Sequence, residues 1–317
     1  MNDRCPLLFG LDTTRDYAER VARRLHMMLS PHEEREFEDG EHKARAQVSV
    51  RGRDVFVVQS LFGEPGHSVN DKLCRLLFFI NSLKDAGCAR VTAVIPYLCY
   101  ARKDQRTQSQ DPLTTRYIAA LFEAMGTDCV ATFDVHNPAA FENAFRCATV
   151  QLRAGPLLAR HFRELAVADR VAVVTPDFGG AKRAEAFRRE LGGYCGYLPD
   201  LVLMEKYRRD GKISGSTLVG DVRGKTAIIV DDLISSGATL CRAAHACRDA
   251  GANAVHGAAT HGLLHGADAL LQDHVFTQIV ITDTVVAPTR RAPHLCVLDS
   301  TTTAAAAIRA LHAGSFH

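Results

Sequence analysis

The chain has 317 residues, a length that suits about two domains, and its 47% apolar and 23% charged content is ordinary for a globular protein, which excludes a disordered tail, a collagen-like repeat and a coiled coil. A formal net charge of +2 is too small for a surface devoted to nucleic acid. No apolar run approaches the roughly 20 residues of a membrane-spanning helix, and the five-residue apolar patch within Met1 to Gly10 is too short for the core of a signal peptide. The ten cysteines are scattered, with no CxxC pair and no zinc-type spacing. They predict reduced, mostly buried thiols in a cytoplasmic protein.

Taken in chain order, near-continuous apolar runs at 54–59, 90–97, 129–135, 171–176 and 226–230 predict strands of a parallel sheet covered on both faces. Segments 70–84, 112–125, 180–191 and 238–250 have helical length and periodicity. Gly87, Gly126, Gly192 and Gly251 stand where each helix would stop. Strand and helix in alternation predict an α/β fold with mostly parallel sheets. The pattern occurs twice. Val50-Arg51-Gly52-Arg53 before one strand matches Val222-Arg223-Gly224-Lys225 before another, and Lys84-Asp85-Ala86-Gly87 matches Arg248-Asp249-Ala250-Gly251. Two similar halves follow, with a boundary near 153–155. The second half ends its strand in Asp231 and Asp232 where the first has Gln59 and Ser60, so the second is expected to be the active copy, since ligands bind at the carboxyl ends of parallel strands.

Six segments carry candidate chemistry. IIVDDLISSGAT (228–239) is a strand, two acids and a small-residue turn opening a helix. It reads either as a phosphate cradle with ribose-binding acids, which lacks the lysine of a polyphosphate loop, or as a capping turn. TPDFGGAKR (175–183) places Asp177 before Gly179 and Gly180 at a helix start with Lys182 and Arg183, suiting a second phosphate group and a divalent cation, or a structural turn. Asp134 and His136 in DVH, read as the end of a strand, share a face and point to one site, unless His136 is a satisfied polar group. YARKDQR (100–106) is a polyphosphate clamp or a solvated charge run. FEDGE (37–41) alone is an acidic turn before a strand. EKYRR (205–209) is a mobile basic loop, one that could bring Lys206 and Arg208 to a developing polyphosphate.

These segments, together with SVNDKL (68–73) and IPYLCYAR (95–102), resemble the ribose-phosphate pyrophosphokinase (phosphoribosyl pyrophosphate synthetase) family from about Pro6 to the last helix. The resemblance implies two phosphoribosyltransferase-like, doubly wound α/β domains facing one another. One comprises 1–153, joined by a C-terminal helix at 303–317, and the other 154–302. It implies transfer of the β,γ-diphosphoryl group of ATP to the 1-hydroxyl of ribose 5-phosphate with Mg²⁺. Ribose 5-phosphate would lie on Asp231, Asp232, Ser235, Ser236, Gly237, Ala238 and Thr239. Pyrophosphate and metal would meet Asp177, Gly179 and Gly180, and His136 would meet ATP phosphates and metal. Phe37, Asp39, Gly40 and Glu41 would line an adenine pocket supplied by a neighbouring subunit of a homo-oligomer, with Arg102 and Lys103 on ATP. Lys206 and Arg208 would stabilise the transition state.

The chain departs from the family pattern in three places. Lys103 replaces a usual glutamine, the stretch after His136 holds only Glu142 as an acid up to Val150, and SSGAT replaces DTAGT, so that Ser235 removes a carboxylate. Two other readings share the motifs: a phosphoribosyltransferase, which the duplicated half and FEDGE argue against, and a non-catalytic regulatory paralogue.

Overall fold

A computed structural model describes residues 5–209, 212–285 and 292–314, without the side chains of 205–216. The chain divides into two compact units, Met1–Arg153 with Thr301–His317, and Ala154–Ser300.

The first unit runs β1 (Leu7–Gly10), α1 (Arg15–Arg24), β2 (His32–Glu36), β3 (His42–Ala46), β4 (Asp54–Val58), α2 (Val69–Asp85), β5 (Arg90–Ile95), α3 (Thr114–Ala124), β6 (Cys129–Phe133), α4 (Pro138–Ala144) and β7 (Ala148–Leu152). Its five parallel strands stand in the order β1-β4-β5-β6-β7, and β2 and β3 form a separate antiparallel hairpin. Val55 and Val57 of β4 pack with Leu76, Phe79, Ile80 and Phe122 in one core, as expected of central strands whose residues are apolar on both faces. Helix α2 begins where Ser68 accepts the N–H of Asp71 at 3.0 Å.

The second unit runs α5 (Gly155–Ala168), β8 (Val171–Thr175), α6 (Ala181–Cys195), β9 (Asp200–Arg209), β10 (Lys212–Val219), β11 (Thr226–Ile234), α7 (Ala238–Asp249), β12 (Ala254–Gly262), α8 (Asp268–Gln272), β13 (Gln278–Thr282) and β14 (Leu295–Leu298). Its strand order is β10-β9-β8-β11-β12-β13-β14, all parallel except the β9–β10 pair. From β8 the chain moves outward to β9 and then returns to the other side of β8 as β11. The order therefore reverses between β8 and β11, and the carboxyl ends of these two strands flank a topological switch point. The last helix, α9 (Thr301–His312), belongs to the first unit, where Arg309 donates to the carbonyl of Arg24 at 3.1 Å.

The sequence echo has a shared geometry. Gly52 and Gly224 take φ of +67° and +68°, and their N–H groups donate to the carbonyls of Gly87 and Gly251 at 2.8 and 2.9 Å. In each half, then, the turn before a strand docks on the glycine that ends the next helix. Three expectations change. Helix α6 runs through Gly192 and stops at Gly196, the residue that takes the left-handed φ of +75°. Strand β11 continues through Asp231 and Asp232 to Ile234 instead of ending before them. Residues 205–209 run as strand β9, antiparallel to β10, and not as a loop.

Candidate functional site

In the second unit, β8 ends at Thr175. Asp177 then caps a short 3₁₀ turn, Phe178–Gly180, its Oδ1 accepting the N–H of Gly180 at 3.2 Å, while Thr175 Oγ1 donates to the Asp177 carbonyl at 2.8 Å. A Cβ on Gly180 would lie 2.4 Å from Thr175 Oγ1, so only glycine lets the turn close this tightly. Phe178 and Gly179 are exposed beside it.

One strand over, Asp231 and Asp232 sit in β11, and the guanidinium of Arg183 from α6 reaches both, 3.1 Å from Asp231 Oδ1 and 3.3 Å from Asp232 Oδ1. Burial pushes the Asp231 carboxyl up, the hydrogen bond and charge of Asp232 add to that, and Arg183 opposes them. Past Ile234 the turn Ser235-Ser236-Gly237 opens α7. Gly237 has φ +80°, and a Cβ there would lie 2.6 Å from Leu270 Cδ2. The first N–H groups of a helix lack intrahelical partners, so the turn and the start of α7 present donors beside Ser236 and Thr239. The structure thus brings Asp177, Gly179 and Gly180 next to Asp231, Asp232 and 235–239, at the carboxyl ends of adjacent strands. The sequence noted Arg183 only as part of a helix start; its bridge to the acid pair depends on the β8–β11 pairing and has no local signal.

In the first unit, FEDGE is the tip of the β2–β3 hairpin. Phe37 N–H donates to the Glu41 carbonyl at 2.7 Å, Glu41 N–H to Asp39 Oδ1 at 3.0 Å, and Gly40 takes φ +89°. Arg35, Glu36, Phe37, Glu38, Asp39 and Glu41 line an open recess of about 580 Å³, with the Arg35 guanidinium 5.1 Å from the Phe37 ring centre. Helix α2 supports the hairpin. Arg75 Nη2 donates to Glu36 Oε2 at 2.7 Å and its Nε to Asp71 at 3.1 Å, and the His42 ring stacks on Phe78 with centroids 5.7 Å apart.

Arg102 lies exposed beyond β5. Lys103 turns inward: its Nζ donates to Asp111 Oδ2 at 2.6 Å and to Thr107 Oγ1 at 3.0 Å, and Asp111 also accepts from the N–H groups of Thr107 and Gln108. These donors hold the Asp111 carboxyl well below the usual range. His136 is not on a strand. Strand β6 ends at Phe133, and Asp134 takes φ +26°, which breaks the alternation that would have put Asp134 and His136 on one face. His136 instead lies exposed in the turn before α4. The side chains of Lys206 and Arg208 lie outside the described residues. Their backbone belongs to β9, which continues past its last pairing with β8, Thr175 with Leu203, at the end where Asp177 lies.

Among the described residues, one group of three possible metal ligands gathers, Asp12, His32 and Glu34, which the sequence did not single out. Glu34 Oε1 accepts the Asp12 N–H at 2.7 Å and faces His32 Nε2 at 2.9 Å, contacts that tie β2 to the turn after β1. No helix among the described residues is long and apolar enough to cross a membrane.

This geometry has close counterparts. Residues 7–126 match the N-terminal domain of ribose phosphate pyrophosphokinase, and residues 208–316 match the phosphoribosyl synthetase-associated domain. The chain is 38% identical over 273 residues to a ribose-phosphate pyrophosphokinase of Caldanaerobacter subterraneus, covering 86% of this chain and 83% of the relative. It is 35% identical over 280 residues to one of Hyphomonas neptunium, covering 88% and 86%. The crystal structure of phosphoribosylpyrophosphate synthetase from Mycobacterium smegmatis superposes with a TM-score of 0.90 at 32% identity, over 98% of this chain and all of that one. With both family domains matched and relatives of this similarity spanning most of the chain, the protein belongs to the ribose-phosphate pyrophosphokinase family of enzymes.

Proposed function

We propose that the chain is a ribose-phosphate diphosphokinase of nucleotide biosynthesis. It moves the β,γ-diphosphoryl group of ATP to the 1-hydroxyl of ribose 5-phosphate and releases phosphoribosyl pyrophosphate (PRPP) and AMP. The observation that carries this reading is the switch point of the second unit, where a glycine turn with an acid and an acid pair with a hydroxyl-rich turn stand on adjacent strand ends. The 5-phosphate would sit on the Ser235–Thr239 turn and the start of α7, with Asp231 and Asp232 accepting from ribose hydroxyls. The turn at Asp177, Gly179 and Gly180 would hold the diphosphoryl group.

On the ATP side, Phe37 offers a ring to adenine, Asp39 and Glu41 acceptors, and Arg102 and His136 charge and hydrogen bonds to the phosphates. The hairpin tip is open, with Phe37 40% exposed, which suits a pocket completed by a second copy in a homo-oligomer. Lys206 and Arg208 would neutralise charge on the transferring group. The 1-hydroxyl oxygen bonds to the β-phosphorus and gives up its proton to water as the bond from that phosphorus to the α,β-bridging oxygen breaks, and AMP leaves carrying the bridging oxygen. No covalent enzyme intermediate is required, so catalysis is positioning and charge neutralisation. Mg²⁺ prefers hard oxygen donors and keeps much of its shell on substrate phosphates, so in the second unit the Asp177 carboxylate would hold it; in the first, the His136 ring, a nitrogen donor, would serve it through the phosphates or a bound water. Bound there, it would draw charge from the phosphates. The same reading places the enzyme in the cytoplasm, in keeping with ten unpaired cysteines.

The test is a mass-resolved reaction with ATP, Mg²⁺ and ribose 5-phosphate, with and without inorganic phosphate. AMP and PRPP in equal amounts are expected. ADP as the product would overturn the mechanism. No product from folded, oligomeric protein would favour the regulatory paralogue.

A further inference from the structure

The two loops on the ATP side leave neighbouring parallel strands. Arg102 and Lys103 follow β5 and His136 follows β6, and β5 and β6 pair up to Ile95 and Thr132. The side chain of Asn137 ties the loops together. Asn137, directly after His136, accepts the N–H of Ala140 on Oδ1 at 3.2 Å and donates from Nδ2 to Asp104 Oδ2 at 2.6 Å. The first contact caps α4, whose first residue is Pro138. The second reaches the residue after Lys103. The partners also fix the amide's orientation, because a flipped amide would set donor against donor at Ala140 and acceptor against acceptor at Asp104.

A cap needs only an acceptor, and Ser or Asp would serve as well, Thr somewhat less well. Of the residues that cap well, asparagine is the one that also brings an N–H donor, and here that donor is spent on Asp104. The far side of the same loop is pinned independently by Lys103 and Thr107 on Asp111.

We propose that Asn137 is a positioning residue. Through Asp104 it holds the Arg102 loop at a set distance from the His136 turn, so that the two meet the ATP phosphates as one surface. This inference rests on the ATP reading above. In this role Asn137 acts through the neighbouring loops, by its bonds to Asp104 and Ala140.

The test uses four full-length proteins: wild type, Asn137→Asp, Asp104→Asn and the double variant. Asn137→Asp keeps the cap acceptor but sets a carboxylate against Asp104. Asp104→Asn sets an amide against an amide. The double variant reverses donor and acceptor and can remake the bond with the cap intact. ATP affinity is measured by calorimetric titration, alongside KM for each substrate, kcat and Tm. A bond to a charged partner at this site corresponds to roughly a tenfold or larger loss of ATP affinity in Asn137→Asp. KM for ribose 5-phosphate and Tm should be nearly unchanged, and the double variant should recover to within about threefold of wild type. Unchanged ATP affinity in Asn137→Asp, or a double variant no better than the worse single one, would overturn the role. If wild type binds ATP but forms no PRPP, the functional reading fails while the titrations still decide this inference. If it binds no ATP, both fail.

Discussion

At the scale of single residues, the consequential groups are charges held where water is scarce. Asp231 is pushed up to about 7 by burial and by Asp232. An acid whose folded value exceeds its ordinary 3.8 gives stability at low pH that is lost as pH rises from about 4 to about 7. The ionised form offers a full acceptor on each oxygen, whereas protonation turns one into a donor, so KM for ribose 5-phosphate should rise as pH falls below 7. Asp231→Asn should flatten that profile and raise KM about tenfold or more, the loss expected for a hydrogen bond to a charged group. A wild-type KM independent of pH between 5.5 and 8 would contradict this.

Lys72 shows the same physics in a structural setting. Its ammonium is fully buried, 2.6 Å from Glu64 Oε1 and 3.7 Å from the Phe62 ring centre, and burial lowers its pKa. Glu64→Gln, which strands the ammonium, should cost roughly 3 kcal/mol, whereas the double change Glu64→Gln, Lys72→Met should recover much of it. Urea midpoints at constant m-value would measure both.

At the scale of elements, turns at strand ends do the positioning. Gly237→Ala would place a methyl group 2.6 Å from Leu270 at φ +80°. Overlap and strain together should cost about 2–4 kcal/mol. A fall of several degrees in Tm, with a weaker response to ribose 5-phosphate than wild type shows, is the expected outcome. The β9–β10 hairpin is the opposite case. Lys206→Ala is expected to lower kcat by orders of magnitude with little change in Tm, because a charge that matters chiefly in the transition state leaves the folded ground state alone. Near-normal turnover would remove Lys206 from the proposed mechanism. The β2–β3 hairpin is held by α2 through Arg75 and Phe78 and by Glu34 on the turn after β1, contacts made outside the chemistry-bearing segments.

At the scale of the whole molecule, the chain leaves the first unit at Arg153 and returns to it at Thr301. The returning helix α9 buries Ala304, Ala305, Ala307, Ile308 and Leu311, a small-residue face that allows close approach to α1. Its end is tied by Asp54, which accepts from Arg90 at 2.7 and 2.8 Å and pairs with His312 Nδ1 at 2.7 Å. Arg90 also donates to the Leu311 carbonyl. Asp54→Ala removes the acceptor shared by both, and a loss of about 1–2 kcal/mol is expected for these partly exposed partners. Thermal unfolding followed by a probe in the first unit should report it. An unshifted transition would mean that the apolar face alone holds α9.

The sequence by itself determined the α/β class, the doubled pattern and the family, because apolar runs, glycine stops and short motifs are local properties of adjacent residues. The motif residues at 175–183 and 228–239 were legible for the same reason. Tertiary structure alone decided that β11 returns beside β8 to make a switch point, that Arg183 bridges Asp231 and Asp232, that Lys103 is spent on Asp111, and that Asp104 meets Asn137. Each of these joins residues separated along the chain, and the strength of an ion pair or hydrogen bond depends on distance and burial that local propensity does not encode. Even the misread turn at Asp134 follows this rule. Its apolar neighbours suit a strand, and its N–H still bonds the Leu152 carbonyl of β7, but its backbone turns to φ +26° and the chain leaves the sheet there.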